Sequence, residues 1–200
     1  MINPSNKSAL RKELRRRRRA LTGAQQQAAA RQLYRRLITS ALFRFSRRIA
    51  FTMAADGEID PGLLLAAAQR RGKCCYLPVL NPVGTPRLRF KRWRSGEVLR
   101  PNFYGIAEPR SGRYCPPRAL SLVLLPLVGF DASGNRIGMG KGYYDRTFAF
   151  RRHTVSRRPV MVGLAHECQR VDKLQAETWD LPLDAVVSDQ AWYSGRDAST

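Results

Sequence analysis

Histidine is scarce in this chain: His153 and His166 are the whole supply. Two imidazoles leave no room for a histidine-rich metal centre. The four cysteines, Cys74, Cys75, Cys115 and Cys168, contain no CxxC pair, and the adjacent pair suits neither a zinc site nor a disulfide framework. Thiols held reduced in a cytosol are the simpler reading. No apolar run approaches the roughly 20 residues that span a bilayer. No secretory leader is expected either, so a cytoplasmic location is the expectation. Acidic residues are also few. Against 36 Lys+Arg stand 15 Asp+Glu, a net charge of +21. Such an excess attracts polyanions, and nucleic acid is the first class to weigh. Many of the arginines lie away from the motif described below, so a solvated basic surface is preferred to a nucleic-acid interface. The remaining totals, 44% hydrophobic and 26% charged over 200 residues, suit one domain spanning 1–200 with a real core.

What the chain does have is an alternation of helical and strand patterns. Ser5 to Ala20 reads as a first helix with Leu10, Leu14 and Leu21 near helical spacing. Within it, Arg15 to Arg19 wrap every face, which predicts that most of them are solvated. Thr22 and Gln25 form a capping-box pattern opening a second helix that runs to about Ile38. Ile49 to Met53 reads as a strand, followed by the polar loop Asp56-Gly57-Glu58. Asp60-Pro61 then starts a helix from Gly62 to Arg71, stopped by Gly72. Cys74 to Leu80 reads as a strand, and Leu88, Phe90 and Arg92 alternate as on an edge strand. Leu122 to Leu125 and Val160 to Leu164 are buried strands, Ala185 to Val187 the last one, and Gly195 to Thr200 a frayed tail. This order points to an α/β sandwich with a central sheet, largely parallel or mixed.

The informative stretch is Pro126 to Arg146, PLVGFDASGNRIGMGKGYYDR. It lies between a strand and a helix expected from Tyr144 to Arg152. Gly134, Gly138, Gly140 and Gly142 allow sharp turns that bring successive backbone N–H groups within reach of one anion. A helix beginning near Gly142 would add its own N-terminal N–H groups. Arg136 and Lys141 flank the loop as mobile cations, and Asp145 supplies a hard oxygen for magnesium. The pattern is neither a Walker motif nor a GxGxxG dinucleotide fingerprint.

Taken as one word, FDASGNRIGMGKGYYDR resembles the hallmark of the 5-formyltetrahydrofolate cyclo-ligase family. The resemblance implies a three-layer α/β/α fold. It also implies an enzyme that uses ATP and Mg2+ to close 5-formyltetrahydrofolate to 5,10-methenyltetrahydrofolate, releasing ADP and phosphate. Further matches extend it along most of the chain. Lys7 and Arg11, four apart on one helix face, match a Lys-x-x-x-Arg pair that serves the ATP phosphates. Glu58 matches an acidic residue that contacts the folate; a carboxylate can accept two N–H bonds side by side from the amino-pyrimidinone edge of a pterin. Met53 falls where the family lines the pterin pocket. Tyr104, in FYGIAEP, falls where an aromatic can cover the pterin or aminobenzoyl ring. Asp184 corresponds to an acidic position near the magnesium. His166 departs from the pattern, which often has an aromatic after Gly-Leu-Ala.

By this resemblance Arg136, Ile137, Gly138, Met139, Gly140, Lys141, Gly142, Tyr143 and Tyr144 bind ATP, with Lys7 and Arg11 assisting. Lys141 and Arg136 act in catalysis, and Asp145 with Asp184 holds the metal. The folate lies against Met53, Glu58, Tyr104, Met139, Gly140, Lys141, Gly142 and Tyr143. A monomer acting on small molecules is expected, and the basic charge suits folates with anionic polyglutamate tails. The alternatives are a basic RNA-binding α/β module, or an ATP-dependent ligase with another acceptor. Salt-sensitive RNA retention without ATP dependence would favour the module.

Overall fold

The structure is a computed structural model and describes residues 4–81, 84, 86–152, 158–175, 177 and 179–194. The expected tail from Gly195 lies outside these residues. The chain opens with α1 (Pro4–Arg19), α2 (Gly23–Ile38) and a short α3 (Ala41–Phe45), followed by β1 (Arg48–Ala50), α4 (Gly62–Arg70), β2 (Cys74–Leu80) and β3 (Leu88–Arg92). Next come β4 (Leu99–Pro101), β5 (Ala107–Pro109), β6 (Tyr114–Cys115), β7 (Leu122–Pro126), β8 (Gly129–Phe130) and β9 (Arg136–Ile137). The last elements are α5 (Tyr143–Thr147), β10 (Val160–Leu164), β11 (Ala185–Val187) and β12 (Trp192–Ser194).

Eight strands form one mixed sheet in the order β12-β11-β10-β7-β1-β2-β3-β6. The middle five, β11-β10-β7-β1-β2, are parallel; β12 at one end and β3 at the other run against them, and β6 pairs antiparallel with β3 and so returns to their direction. β3 therefore is not an edge: it pairs on both sides, with β6 as the rim. β11 is not the last strand either, because β12 pairs with it. Both misreadings concern strands of two or three residues, too short to carry a period-2 pattern.

β7 shows why the sheet needs cover on both faces. Leu122 and Leu124 pack into one core with Leu33 and Leu37 of α2, Phe43 of α3 and Leu64 of α4. Val123 and Leu125 pack into the other, with Phe130, Phe148 and Met161. Each of these fully buried side chains contributes about 1.5–3 kcal/mol. This is the helix–sheet–helix layering that the buried apolar run predicts.

Local signals behave as the residue chemistry requires. Thr22 Oγ1 accepts from Gln25 N (3.3 Å) and Gln25 Oε1 accepts from Thr22 N (2.8 Å), completing the capping box. Asp60 Oδ1 accepts from Gly62 N (2.8 Å) at the start of α4. Beyond the Gly-rich segment the helix is shorter than its sequence suggests: α5 stops at Thr147 and a 3-10 turn covers Ala149–Arg152.

A third cluster, Leu14, Val128, Ile137 and Leu174, with Leu10 against it, fixes α1 across the segments that follow β7. That placement puts the basic face of α1 at the carboxyl edge of the sheet.

Candidate functional site

In the central order β2-β1-β7-β10, the chain runs outward in one direction from β1 to β2 and in the other from β7 to β10. The crevice beyond the carboxyl ends of β1 and β7 is thus the topological switch point, where ligands bind in sheets of this kind. Three segments meet there: the loop after β1, the β8–β9 hairpin with the Gly-rich loop, and α1.

The hairpin is built around Asp131, which is buried. Its carboxylate accepts from the backbone N–H groups of Ser133, Asn135 and Leu174 and from Asn135 Nδ2, at 2.9–3.0 Å. The FDASGN part of the word therefore shapes the turn, and the loop that follows is left with its donors free. From Gly138 through Asp145, no backbone N–H has an acceptor among the described residues. Gly140 and Gly142 have φ of 87° and 61°, the left-handed region that favours glycine. Met139 and Lys141 are exposed, and Lys141 has no ion-pair partner among the described residues. Ile137, by contrast, is buried in the cluster beneath α1.

Arg136 is not a mobile cation. Its side chain is 8% exposed and pairs with Asp145, and its Nε donates to Leu181 O (3.4 Å). From α1, Arg11 Nε donates to Gly138 O (2.9 Å), and its guanidinium lies against Gly140. Lys7 Nζ donates to Glu177 Oε1 (2.6 Å). The structure thus brings Arg11 directly onto the Gly-rich loop, whereas Lys7 is held by a carboxylate.

The loop after β1 turns at Asp56-Gly57, both with positive φ (54° and 75°), and Glu58 N donates to Ala55 O (3.0 Å). This is the geometry of a type I′ turn, which Asp-Gly favours. Of the arginine run, Arg16, Arg17 and Arg19 are exposed as expected, whereas Arg15 is half-buried and Arg18 is buried. Arg15 Nε donates to Asp56 Oδ2 (2.8 Å), Arg19 pairs with Asp56 Oδ1, and Arg18 NH2 donates to Asp56 Oδ2 (2.9 Å). Arg18 is fully buried, and also donates to Asp56 O (2.9 Å) and Leu127 O (3.1 Å). Arg16 and Arg17 stay outside, paired with Glu13, and Arg19 reaches Asp56 from an exposed position. The missed signal is spacing: 11, 15, 18 and 19 share one helix face with 7. Although burial opposes its ionisation, Arg15, Arg19 and Arg18 together hold Asp56 below the usual carboxylate range.

Glu58 has the opposite fate. Burial raises its pKa from 4.5 to about 7, against the pull of Arg18, whose NH2 is 3.5 Å from Glu58 Oε1, and of Ala55 N–H, which donates to Oε2 (3.3 Å). Near it lies Tyr144, whose phenol burial pushes well above its ordinary value, with Glu58 adding to the effect. The Tyr144 ring stacks on Phe148 in the core. Tyr143 stands at the surface with Tyr104, ring centroids 6.5 Å apart, and Phe103 continues the row 5.4 Å from Tyr104. The neighbouring Tyr104 hydroxyl is the main cause that raises the Tyr143 pKa. Met53 is half-buried against the core beneath α4.

The two candidate metal ligands are not brought together. Asp145 sits on α5 at the carboxyl edge, its Oδ1 taken by Arg136 and by Leu181 N (2.9 Å). Asp184 precedes β11, at the amino edge. There it pairs with Arg151 (2.8 Å) and accepts from Met161 N (2.7 Å). In a parallel sheet a residue before a strand lies at the edge opposite to the one after it. No group of three or more His, Cys, Asp or Glu side chains suited to a metal occurs among the described residues.

With this geometry in view, the match to known proteins is decisive. A model of the 5-formyltetrahydrofolate cyclo-ligase family covers residues 3–189. The chain belongs to the 5-formyltetrahydrofolate cyclo-ligase family. It is accordingly an enzyme, of the ligase class. It is 40% identical over 177 residues to the 5-formyltetrahydrofolate cyclo-ligase of Escherichia coli, covering 88% of this chain and 96% of that one. It is 35% identical over 184 residues to the cyclo-ligase of Haemophilus influenzae, covering 91% and 97%. The structure superposes on the 5,10-methenyltetrahydrofolate synthetase of Aquifex aeolicus with a TM-score of 0.82 at 28% identity, covering 97% of this chain and 95% of the other. Where the resemblance led to an aromatic, this chain has His166. It is buried beside the Gly57 main chain, and burial holds its pKa below the ordinary value.

Proposed function

We propose that the protein uses ATP to convert 5-formyltetrahydrofolate to 5,10-methenyltetrahydrofolate, with the phosphates held by the Gly-rich loop and the pterin by Glu58. The observation that carries the reading is the run of backbone N–H groups from Gly138 to Asp145 without an acceptor among the described residues, in a loop that Arg11 contacts. Free main-chain donors and an exposed Lys141 can surround a triphosphate without protein rearrangement.

The substrate explains why a phosphate is needed. A formamide oxygen is a poor leaving group, so N-10 cannot displace it as water. Transfer of the γ-phosphoryl group to that oxygen breaks the bond to ADP and leaves an N-5 iminium phosphate. N-10 attacks the former formyl carbon, loses its proton, and the carbon–oxygen bond breaks to release phosphate. The chain's task is alignment and charge stabilisation. In this proposal Lys141 follows the transferring group, Arg11 pins the loop through Gly138 O, and Arg136 fixes the start of α5 through Asp145. Glu58 accepts two N–H bonds from the pterin, which favours its ionised form. Tyr104 and Tyr143 cover the flat rings.

Magnesium usually keeps several waters and takes one or two carboxylates plus phosphate oxygens. Asp145 fits that demand, because its second oxygen has no hydrogen-bond donor among the described residues. When bound, the ion would neutralise phosphate charge. Asp184 drops out of this set, since both its oxygens are engaged at the opposite edge. The proposal extends to a monomer in the cytoplasm acting on folates with anionic tails, supported by the net charge of +21. The test is formation of the absorbing methenyl product from 5-formyltetrahydrofolate with ATP and magnesium. Product without ATP, or none with it, contradicts the reading.

A further inference from the structure

Arg18 is a fully buried guanidinium that joins three separate parts of the site. Through its Nε and NH2 it holds the main chain and carboxylate of Asp56, and through NH1 it holds Leu127 O at the end of β7. The same NH2 lies 3.5 Å from Glu58 Oε1. A buried cation with three acceptors fixed around it cannot swing away, so the turn carrying Glu58 is locked to α1 and to the sheet. We propose that Arg18 is the positioning residue for Glu58, holding the carboxylate in place and charged for the pterin edge. The proposal rests on the reading of Glu58 given above.

Glu58 sits among several charges, and their balance sets what Arg18 contributes. Arg15 and Arg18 approach from α1, Asp56 from its own turn, Tyr144 from α5, with Arg136 beyond Tyr144 and His166 behind Gly57. Burial opposes ionisation of Glu58, Asp56 and Tyr144 do nothing to favour it, and burial of His166 disfavours its charged form. Arg18 is the largest favourable influence on the carboxylate. An opposite charge at this range typically lowers a carboxyl pKa by about 1–3 units. If the pterin binds ionised Glu58, folate binding must release protons near and below pH 7, and Arg18 must govern where that release is centred.

The experiment is calorimetric titration of the full chain with 5-formyltetrahydrofolate, without ATP, in buffers of different ionisation enthalpy from pH 5.5 to 9. It compares wild type, Arg18→Gln, Arg18→Lys and Glu58→Gln. Wild type should release protons with a midpoint near 7. Arg18→Gln should move the midpoint up by at least about one unit and weaken folate about tenfold at pH 7, recovering at pH 9. Arg18→Lys, which keeps the charge, should return the midpoint towards wild type. A loss of affinity that is the same at every pH, or a midpoint shared by wild type and Arg18→Gln, overturns the proposal and leaves the Glu58 reading standing. Unchanged folate affinity in Glu58→Gln overturns both. Should Arg18→Gln not fold, wild type decides: the Arg18 Nε–Hε resonance should titrate with Glu58 and shift on adding folate. A resonance indifferent to both overturns the proposal.

Discussion

Replacing Glu58 by Gln should make the ligand-free protein more stable, by an amount that grows from about pH 4.5 and levels off above about pH 7. Burial lifts the Glu58 pKa from 4.5 to about 7, so between those values the folded chain binds more protons than the unfolded one. Its stabilising contribution is complete below 4.5 and is lost as pH rises through 7. At about 1.36 kcal/mol per pKa unit, the ionised carboxylate costs the fold about 3 kcal/mol above pH 8. Gln is never charged and can still accept from Ala55 N–H, so most of that cost is recovered. A net gain of about 2 kcal/mol is therefore expected, or about 4–8 °C in Tm at this chain length. The substitution also adds to the net charge of +21, which works against the gain. Thermal unfolding from pH 5 to 8.5 is the assay. The Tm difference should be near zero at pH 5 and grow to several degrees at pH 8.5, while folate binding is lost. An equal difference at both pH values would show that Glu58 is not desolvated and that no stability has been given up for the site.

Three more outcomes follow from single contacts. Lys141→Ala should lower kcat about 100-fold or more with Tm within about 1 °C, since the side chain is exposed and unpaired among the described residues; retained turnover in a folded variant removes Lys141 from the reaction. Asp56→Ala should cost about 3–5 kcal/mol in denaturant unfolding, because it strips the buried Arg18 of its carboxylate; a loss under about 1 kcal/mol would mean the arginine cluster is not an anchor. Gly142→Ala must hold φ near 61° and displace the Arg146 guanidinium, which lies 2.8 Å from the new Cβ. It should cost about 1–2 kcal/mol and weaken ATP in a binding titration, and unchanged ATP affinity would separate loop geometry from nucleotide binding.

Residues whose role is decided by near neighbours were legible before the structure. The capping box at Thr22, the bounds of β2 and β10, and the sharp turns at Gly140 and Gly142 all follow from local chemistry. Arg18 was not legible in the same way, because charge alone places an arginine in water. Arg18 becomes buried only when α1 crosses the sheet edge and meets Asp56 and Leu127, partners 38 and 109 residues away. Arg136 was misjudged for the same reason, its partner Asp145 lying across the loop. Asp184 is a different lesson. The strand that follows it was recognised, and parallel pairing then places any residue before that strand at the edge away from the loops after β1 and β7. The short β12 and α3 carried too few residues for a periodic signal.

The account stands or falls on the Gly-rich loop. Amide NMR of the chain, titrated with a non-hydrolysable ATP analogue and magnesium, should show the largest shifts at Gly138 through Asp145, with Arg11 Nε following. Shifts confined to other residues, with these amides unmoved at saturation, would contradict it.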